Sequence, residues 1–174
     1  MPNWRCIQLI VFDFDGVFTN NKVYLDQTGK ELVRCDRSDG LAFDFFRAFC
    51  KLNSWYPDCF ILSKEKNPVV SERAEKLHVK CIQGISDKAN YLLTHIHKNN
   101  IHADSIIYLG NDLNDLSAMH LVGFSIAPQD AHPLILQYAN LIIPRNGGDG
   151  FVRNFMERLL RIESMDNAMI SMLL

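Results

Sequence analysis

Little in this 174-residue sequence sets it apart from ordinary globular chains. No apolar run approaches the ~20 residues that a bilayer span requires, so no membrane partner is expected. Charge of neither sign dominates: 18 lysines and arginines stand against 20 aspartates and glutamates, a formal net charge of −2. With the cations scattered, there is no electrostatic ground for a nucleic-acid partner. The opening MPNWRC has no apolar core of the secretory kind, so a soluble cytoplasmic protein is the expectation. The 9 glycines and 6 prolines do not cluster into linkers or low-complexity tracts, and no internal repeat is visible. One domain over residues 1–174 follows. The cysteines, Cys6, Cys35, Cys50, Cys59 and Cys81, are odd in number, widely spaced and lack a CxxC pair, which excludes a disulfide framework and a zinc site. The histidines form no HExxH or similar pattern, so a histidine-bound transition metal is not expected.

What is present is an alternation of short apolar runs with amphipathic stretches. CIQLIVFDF (6–14), DCFILS (58–63), VKCIQG (79–84), SIIYLGND (105–112), GFSIAP (123–128) and NLIIP (140–144) read as strands, the first as one buried on both faces. Between them lie helical patterns: LAFDFFRAFCKL (41–52) with Asp39 near its start, PVVSERAEKLH (68–78), SDKANYLLTHIHKN (86–99) with Ser86 as candidate cap, DLSAMHLV (115–122), a turn around 132–139, and a last helix from Gly150. The phenylalanines Phe43, Phe45, Phe46 and Phe49 are read as core. This order predicts an α/β fold: a three-layer, Rossmann-like sandwich with a parallel sheet. Residues 17–36 interrupt it with two strand-like runs around DQTG, a β-hairpin inserted after the first strand; no connection is long enough for a separate cap domain. The tail, 163–174, carries Met165, Met169 and Met172, and reads equally as a continued or frayed last helix and as a segment that docks on a neighbouring subunit.

Ligands of open α/β sheets bind at the carboxyl ends of the strands. There this sequence places Asp13 and Asp15 from the first strand, Ser63 from the second, Asn111, Asp112 and Asp115 after another, and Lys88 from a helix start. Alternation sends Asp13 and Asp15 to one side and Phe14 into the core. Paired carboxylates repel unless something compensates. With Asp112 as a third, the all-oxygen set suits Mg²⁺. Acids, a hydroxyl and a lysine around such an ion are what phosphoryl transfer needs. One carboxylate attacks phosphorus, and the other protonates the leaving oxygen and then activates water.

DFDGVFT (13–19), Ser63, Lys88 and GNDLND (110–115) together resemble, in order and spacing, the four motifs of the haloacid dehalogenase superfamily of phosphatases. The resemblance implies Asp13 as nucleophile, Asp15 as general acid/base that also offers a backbone carbonyl to the metal, Asp112 as the metal carboxylate, and Asp115 as a brace for Lys88 or metal-bound water, with Asn111 supporting. Gly16 lets the backbone turn close to the phosphate. The hairpin, RSDGLA (37–42), QGISDK (83–88), DAHP (130–133) and NGGDGFVR (146–153) are similar to the capless branch acting on 3-deoxy-2-ulosonic acid phosphates, either 3-deoxy-manno-octulosonate 8-phosphate or nonulosonate (N-acylneuraminate-type) 9-phosphates. That branch implies a homotetramer with packed hairpins and a neighbour's tail closing the site.

Within it, the octulosonate enzymes carry Gly-Arg after the second-motif residue, whereas the nine-carbon enzymes have Glu at the Arg position and an Arg followed one turn later by Lys. Here Glu65, Arg73 and Lys76 fit the second pattern. Glu65 can accept from sugar hydroxyls, leaving Arg73 or Lys76 for the substrate acid. The expected substrate is therefore a nine-carbon, sialic-acid-type 9-phosphate, with the octulosonate as the alternative. Two departures stand out: Lys64 in place of the usual glycine, and Asp149 where the glycine loop often has Arg. The branch is also similar to a non-catalytic tetramerisation module found behind acylneuraminate cytidylyltransferases, but Asp13, Asp15, Lys88 and Asp112 are all present here. A phosphatase of loose specificity is the remaining reading.

Overall fold

The computed structural model describes residues 1–174. In chain order its elements are β1 (Leu9–Phe12), β2 (Thr19–Leu25), β3 (Glu31–Cys35), α1 (Ser38–Asn53), β4 (Asp58–Leu62), α2 (Val69–Leu77), β5 (Lys80–Ile82), α3 (Lys88–Asn99), β6 (Ile106–Leu109), α4 (Leu113–Met119), β7 (Phe124–Pro128), α5 (Pro133–Tyr138), β8 (Leu141–Ile143), α6 (Phe151–Leu160) and α7 (Asn167–Leu173), with short 3₁₀ turns at Trp4–Cys6, Ala103–Ser105 and Ile162–Ser164.

β1 and β6 are apolar throughout and buried on both faces, the burial expected of central parallel strands. Six parallel strands pair in the order β5-β4-β1-β6-β7-β8. Chain order reverses on either side of β1, so the switch point of the sheet lies there, and a ligand crevice is expected outside its carboxyl end. Alternate side chains of the strands feed two separate apolar layers. Ile10, Phe12, Ile61 and Leu109 pack with α1, α2, α6 and the hairpin base, while Leu9, Val11, Phe60 and Tyr108 pack under α3, α4 and α5. Phe12 anchors the central strand through rings of Phe18, Phe43 and Phe155 at centroid distances of 5.5, 5.8 and 5.7 Å. Such contacts add to area burial and leave β1 little freedom to shift.

The α/β architecture read from the sequence is the one observed, including the antiparallel hairpin β2–β3 and the absence of a cap domain. Its turn forms as the residues suggest. Asp26 Oδ1 accepts from the Thr28 amide at 2.8 Å, the Thr28 hydroxyl at 2.6 Å and the Lys30 amide at 3.0 Å.

Two local expectations need correction, on Ser86 and on the tail. Ser86 does not cap α3: Asp87 does, accepting from the Asn90 amide at 2.9 Å, because a carboxylate directly before the first helical residue competes better for that donor. Asp39 lies in the first turn of α1, near its start as the sequence suggests, though that start has no side-chain cap. Its buried carboxylate accepts from the Arg153 amide at 3.3 Å, so it serves the first turn of α6. The tail neither continues α6 nor frays. Arg161 takes the left-handed conformation (φ 58°), the helix stops, and α7 folds back with Leu173 buried against the layer that holds α1. Met165 packs there too, whereas Met169, Met172 and Leu174 remain exposed.

Candidate active site

The floor of the site begins where β1 ends. The Asp13 amide still donates to the Leu109 carbonyl at 2.8 Å, which extends the pairing with β6 by one residue and fixes the side chain at the sheet edge. Phe14 turns inward onto Phe18, with centroids 6.0 Å apart. The chain then bends at Gly16 (φ +74°), where a Cβ would collide with the Asn111 side chain, so only glycine permits both the turn and the close approach. Thr19 secures the bend: its hydroxyl oxygen accepts from the Gly16 amide at 3.2 Å and the Asn21 amide at 3.1 Å, and the hydroxyl reaches Asp15 Oδ1 at 3.5 Å.

Lys88, the first residue of α3, extends into this floor with its side chain only 1% exposed. Its ammonium lies 2.6 Å from Asp13 Oδ1 and 2.7 Å from Asp115 Oδ1. Asp115, fully buried in the first turn of α4, accepts further from the Tyr108 hydroxyl at 2.8 Å and, through Oδ2, from the Asn111 amide at 2.9 Å and the Asp112 amide at 3.3 Å. Asp115 thus caps its own helix and braces Lys88 at once.

Burial raises Asp13 well above the ordinary carboxylate range, the Asp115 charge raises it further, and Lys88 opposes both. Burial also raises Asp15, followed by the charge of Glu65. Burial works to lower Lys88, but Asp13 and Asp115 outweigh it and raise the ammonium. Lys88 therefore does not offset the burial of Asp13. A nucleophile at Asp13 has to be ionised, and further positive charge at the floor would keep it so.

The donors present fit a hard divalent ion, though not with the membership read from the sequence. No three His, Cys, Asp or Glu side chains approach closely enough to hold a metal. Asp112 is exposed and its Oδ1 accepts from the Leu113 amide at 2.7 Å, because as N-cap residue of α4 its carboxylate is drawn to that helix start. The neighbouring Asn111 takes the inner position instead. It is 6% exposed, packed beside Gly16, and its Oδ1 is buried without a partner. An orphaned buried oxygen is costly unless a ligand satisfies it. Together with Asp13 and Asp15 it makes a set of oxygen donors only.

Above the floor opens a cleft of about 370 Å³, bounded by Asp13, Asp15 and Ser63 and by a rim of Lys64, Glu65, Lys66 and Asn114. A groove of similar size, about 340 Å³, lies around Asp58, Lys80 and His95, at the amino ends of β4 and β5, and holds no comparable pair of acids. Ser63 is buried and its oxygen accepts from the Glu65 amide at 3.0 Å, while Glu65 Oε1 accepts from the amides of Lys66 at 2.6 Å and Asn67 at 2.9 Å. The rim loop is thus held in part by its own side chains, and Lys64 is exposed on it.

Arg73 and Lys76 line no part of the cleft. Arg73 Nη2 donates to the Asp36 carbonyl at 2.6 Å, tying α2 to the end of the hairpin, while its Nε is buried without a partner. Lys76 is exposed one turn further on. From the other side the 146–150 loop closes against the first turn: a Cβ on Gly147 would collide with the Gly16 carbonyl, and the Gly148 amide donates to the Val17 carbonyl at 3.1 Å. Asp149, the unusual residue of that loop, pairs with Arg34 on the hairpin at 2.8 Å. Sequence reasoning missed Tyr108, read only as a strand residue, and Asn114 and Lys66 on the rim. The polar tip of a fully buried tyrosine is a signal that demands a partner, and Asn114 lies inside GNDLND.

Comparison with known proteins agrees with this geometry. Residues 60–155 match the haloacid dehalogenase-like hydrolase family. The 3-deoxy-D-manno-octulosonate 8-phosphate phosphatase KdsC of Escherichia coli K12 is 32% identical over 155 residues, which cover 88% of this chain and 79% of that protein. A Streptomyces avermitilis chain described as a HAD family hydrolase superposes with a TM-score of 0.86 at 34% identity, covering 97% of this chain and 94% of its own. The 3-deoxy-D-manno-octulosonate 8-phosphate phosphatase of Moraxella catarrhalis, in complex with magnesium ion, phosphate ion and KDO, gives a TM-score of 0.84 at 25% identity over 99% of this chain and 96% of its own. Similarity on this scale, joined to a lysine held between two buried aspartates at the carboxyl edge of the sheet, makes this chain a member of the haloacid dehalogenase-like hydrolases and, within them, a phosphoric monoester hydrolase.

Proposed function

We propose that the chain, acting as a single domain over residues 1–174, hydrolyses the phosphomonoester of a 3-deoxy-2-ulosonic acid, and that its preferred substrate is a nine-carbon, sialic-acid-type 9-phosphate. The observation that carries the chemistry is the Lys88 ammonium, 2.6 Å from Asp13 and 2.7 Å from Asp115. Asp13 Oδ1 is occupied by Lys88 and by the Phe14 amide at 2.7 Å, which leaves Oδ2 to attack phosphorus. As the P–O bond to the sugar breaks, Asp15 gives its proton to the leaving oxygen. Its raised affinity for that proton suits the step. The carboxylate so formed then takes a proton from water, whose oxygen attacks the aspartyl-phosphate, releasing inorganic phosphate and restoring Asp13. Lys88 and the Ser63 hydroxyl hold the phosphoryl oxygens during both steps. Asp13, Asp15 and Asn111 would hold Mg²⁺, which supplies positive charge to those oxygens when bound.

Glu65 supports the nine-carbon reading. It stands on the cleft rim with one carboxylate oxygen held by the loop and the other left for substrate hydroxyls. An octulosonate 8-phosphate is the second reading, supported by the names of the relatives. A purified sample with Mg²⁺, given both acid phosphates and several unrelated phosphomonoesters, is expected to release phosphate at least tenfold faster, by kcat/KM, from the nine-carbon substrate, equivalent to ~1.4 kcal/mol in the transition state. The reverse ratio assigns the octulosonate, equal rates on all esters assign a loose specificity, and no turnover on any ester points to a tetramerisation module. A homotetramer with hairpins packed together is part of the reading. Val23, Tyr24, Leu25 and Leu32 expose apolar surface along β2 and β3, and Met169 and Met172 offer the tail a second such surface for a neighbour. Sedimentation of the full chain at four times its own mass is the expected result.

A further inference from the structure

Tyr108 is fully buried in β6, its ring part of the apolar layer that also holds Val11, Leu92 and Met119 and its hydroxyl 2.8 Å from Asp115 Oδ1. The same oxygen accepts the Lys88 ammonium at 2.7 Å, and that ammonium reaches Asp13 at 2.6 Å. A phenylalanine would fill the same apolar layer at the same register, so packing does not explain the hydroxyl. Nor does capping: the first turn of α4 is satisfied through Asp115 Oδ2 and the amides of Asn111 and Asp112. What the hydroxyl does is share Oδ1 with Lys88.

From this geometry we infer that Tyr108 is a positioning residue for phosphoryl transfer: its hydroxyl divides the charge of Asp115 so that Lys88 stays shared between Asp115 and the nucleophile Asp13. Burial makes the Tyr108 phenol well above ordinary in proton affinity, with the Asp115 charge adding to it, so the group stays a donor throughout the neutral range. A carboxylate oxygen that accepts two charge-assisted or strong bonds pulls less on each donor. Without the hydroxyl, Asp115 Oδ1 draws on Lys88 alone. The ammonium then shifts toward Asp115 and away from Asp13 Oδ1 and the phosphoryl oxygens. The effect should fall on the chemical step rather than on sugar recognition, because Tyr108 touches neither the cleft nor its rim.

This inference rests on the phosphatase reading of the site but not on the identity of the sugar, so the probe is p-nitrophenyl phosphate with Mg²⁺. If the wild-type protein does not hydrolyse it or any other phosphomonoester, the phosphatase reading itself fails. Given wild-type turnover, Tyr108→Phe is expected to lower kcat about tenfold with KM changed less than threefold. Urea unfolding shows whether the variant is folded. Asp115→Asn supplies the second arm: if Tyr108 acts through Asp115, adding Tyr108→Phe to that variant changes kcat by less than twofold. Should Asp115→Asn not fold, the ¹⁵N signal of the Lys88 ammonium decides, with a shift expected in Tyr108→Phe. Wild-type kcat in Tyr108→Phe, full additivity with Asp115→Asn, or an unmoved Lys88 signal would overturn the inference.

Discussion

The floor of the cleft and its rim are built on opposite terms. On the floor, Asp13, Lys88, Asp115 and Tyr108 are buried, and every contact among them is between charged or strongly polar groups at 2.6–2.8 Å. On the rim, Lys64, Glu65 and Lys66 are exposed, and the side-chain bonds of Glu65 are with its own loop. A charge removed from the floor leaves others uncompensated in a medium that solvates them poorly. A charge changed on the rim is resolvated. Under the proposed function, the difference separates the chemistry from the choice of substrate: changes on the floor should cost the most, and changes on the rim should leave the fold intact.

Asp13→Asn tests the floor most severely. Under the proposed role it removes the nucleophile without removing volume, and turnover of any phosphomonoester is expected to fall on the order of 10³-fold or more. Substantial turnover by this variant would remove Asp13 from the mechanism.

Lys88→Met asks whether the floor holds the fold as well as the chemistry. It strands Asp13 and Asp115 without their shared cation, and a loss of roughly 3–5 kcal/mol is expected in urea unfolding at neutral pH. A loss confined to less than ~1 kcal/mol, as for a surface pair, would erase the contrast with the rim.

Asp39 is a buried carboxylate outside the floor, and so a control for burial as such. Burial, then the Asp36 charge, raises it to about 7 from an ordinary 3.8, with Arg73 and the Arg153 amide opposing. A carboxyl raised on folding contributes stability that is present below its unfolded pKa and lost as pH rises through its folded one. The protein should therefore lose stability between about pH 4 and pH 7, by at most ~4 kcal/mol. Asp39→Asn should flatten that slope in urea unfolding across the window, with turnover of p-nitrophenyl phosphate unchanged.

Glu65→Arg is the mildest change. It should leave the kcat for p-nitrophenyl phosphate within twofold and shift the ratio of nine-carbon to eight-carbon substrate by about tenfold toward the latter, or ~1.4 kcal/mol. An unmoved ratio would take specificity away from this rim position.

The legibility of the molecule in its sequence divides along similar lines. DFDGVFT and GNDLND could be read because strand alternation and the edge rule for parallel sheets are local or topological rules, which need no coordinates. Asp112 was misplaced because spacing does not say which of two adjacent polar residues at a helix start turns to the helix and which turns to the cleft. The cap geometry decides that, and it chose Asp112 for Leu113 and Asn111 for the interior. Arg73 likewise stands at the right spacing, yet its guanidinium is engaged by the Asp36 carbonyl. The tail was ambiguous because Arg161, with no sequence signal of its own, takes the left-handed backbone that ends α6.

By itself, then, the sequence determined the parallel sheet, the hairpin insertion and the meeting of Asp13, Asp15, Ser63 and Lys88 at one edge, since hydrophobic periodicity and chain order are sufficient to specify them. Only the tertiary structure decided that Lys88 is shared between two carboxylates, that Tyr108 joins them from a different strand, and that Asn111 rather than Asp112 is buried beside Gly16. Those are matters of which donor reaches which acceptor inside a packed core, where a displacement of one ångström makes or breaks a hydrogen bond and no one-dimensional pattern records it.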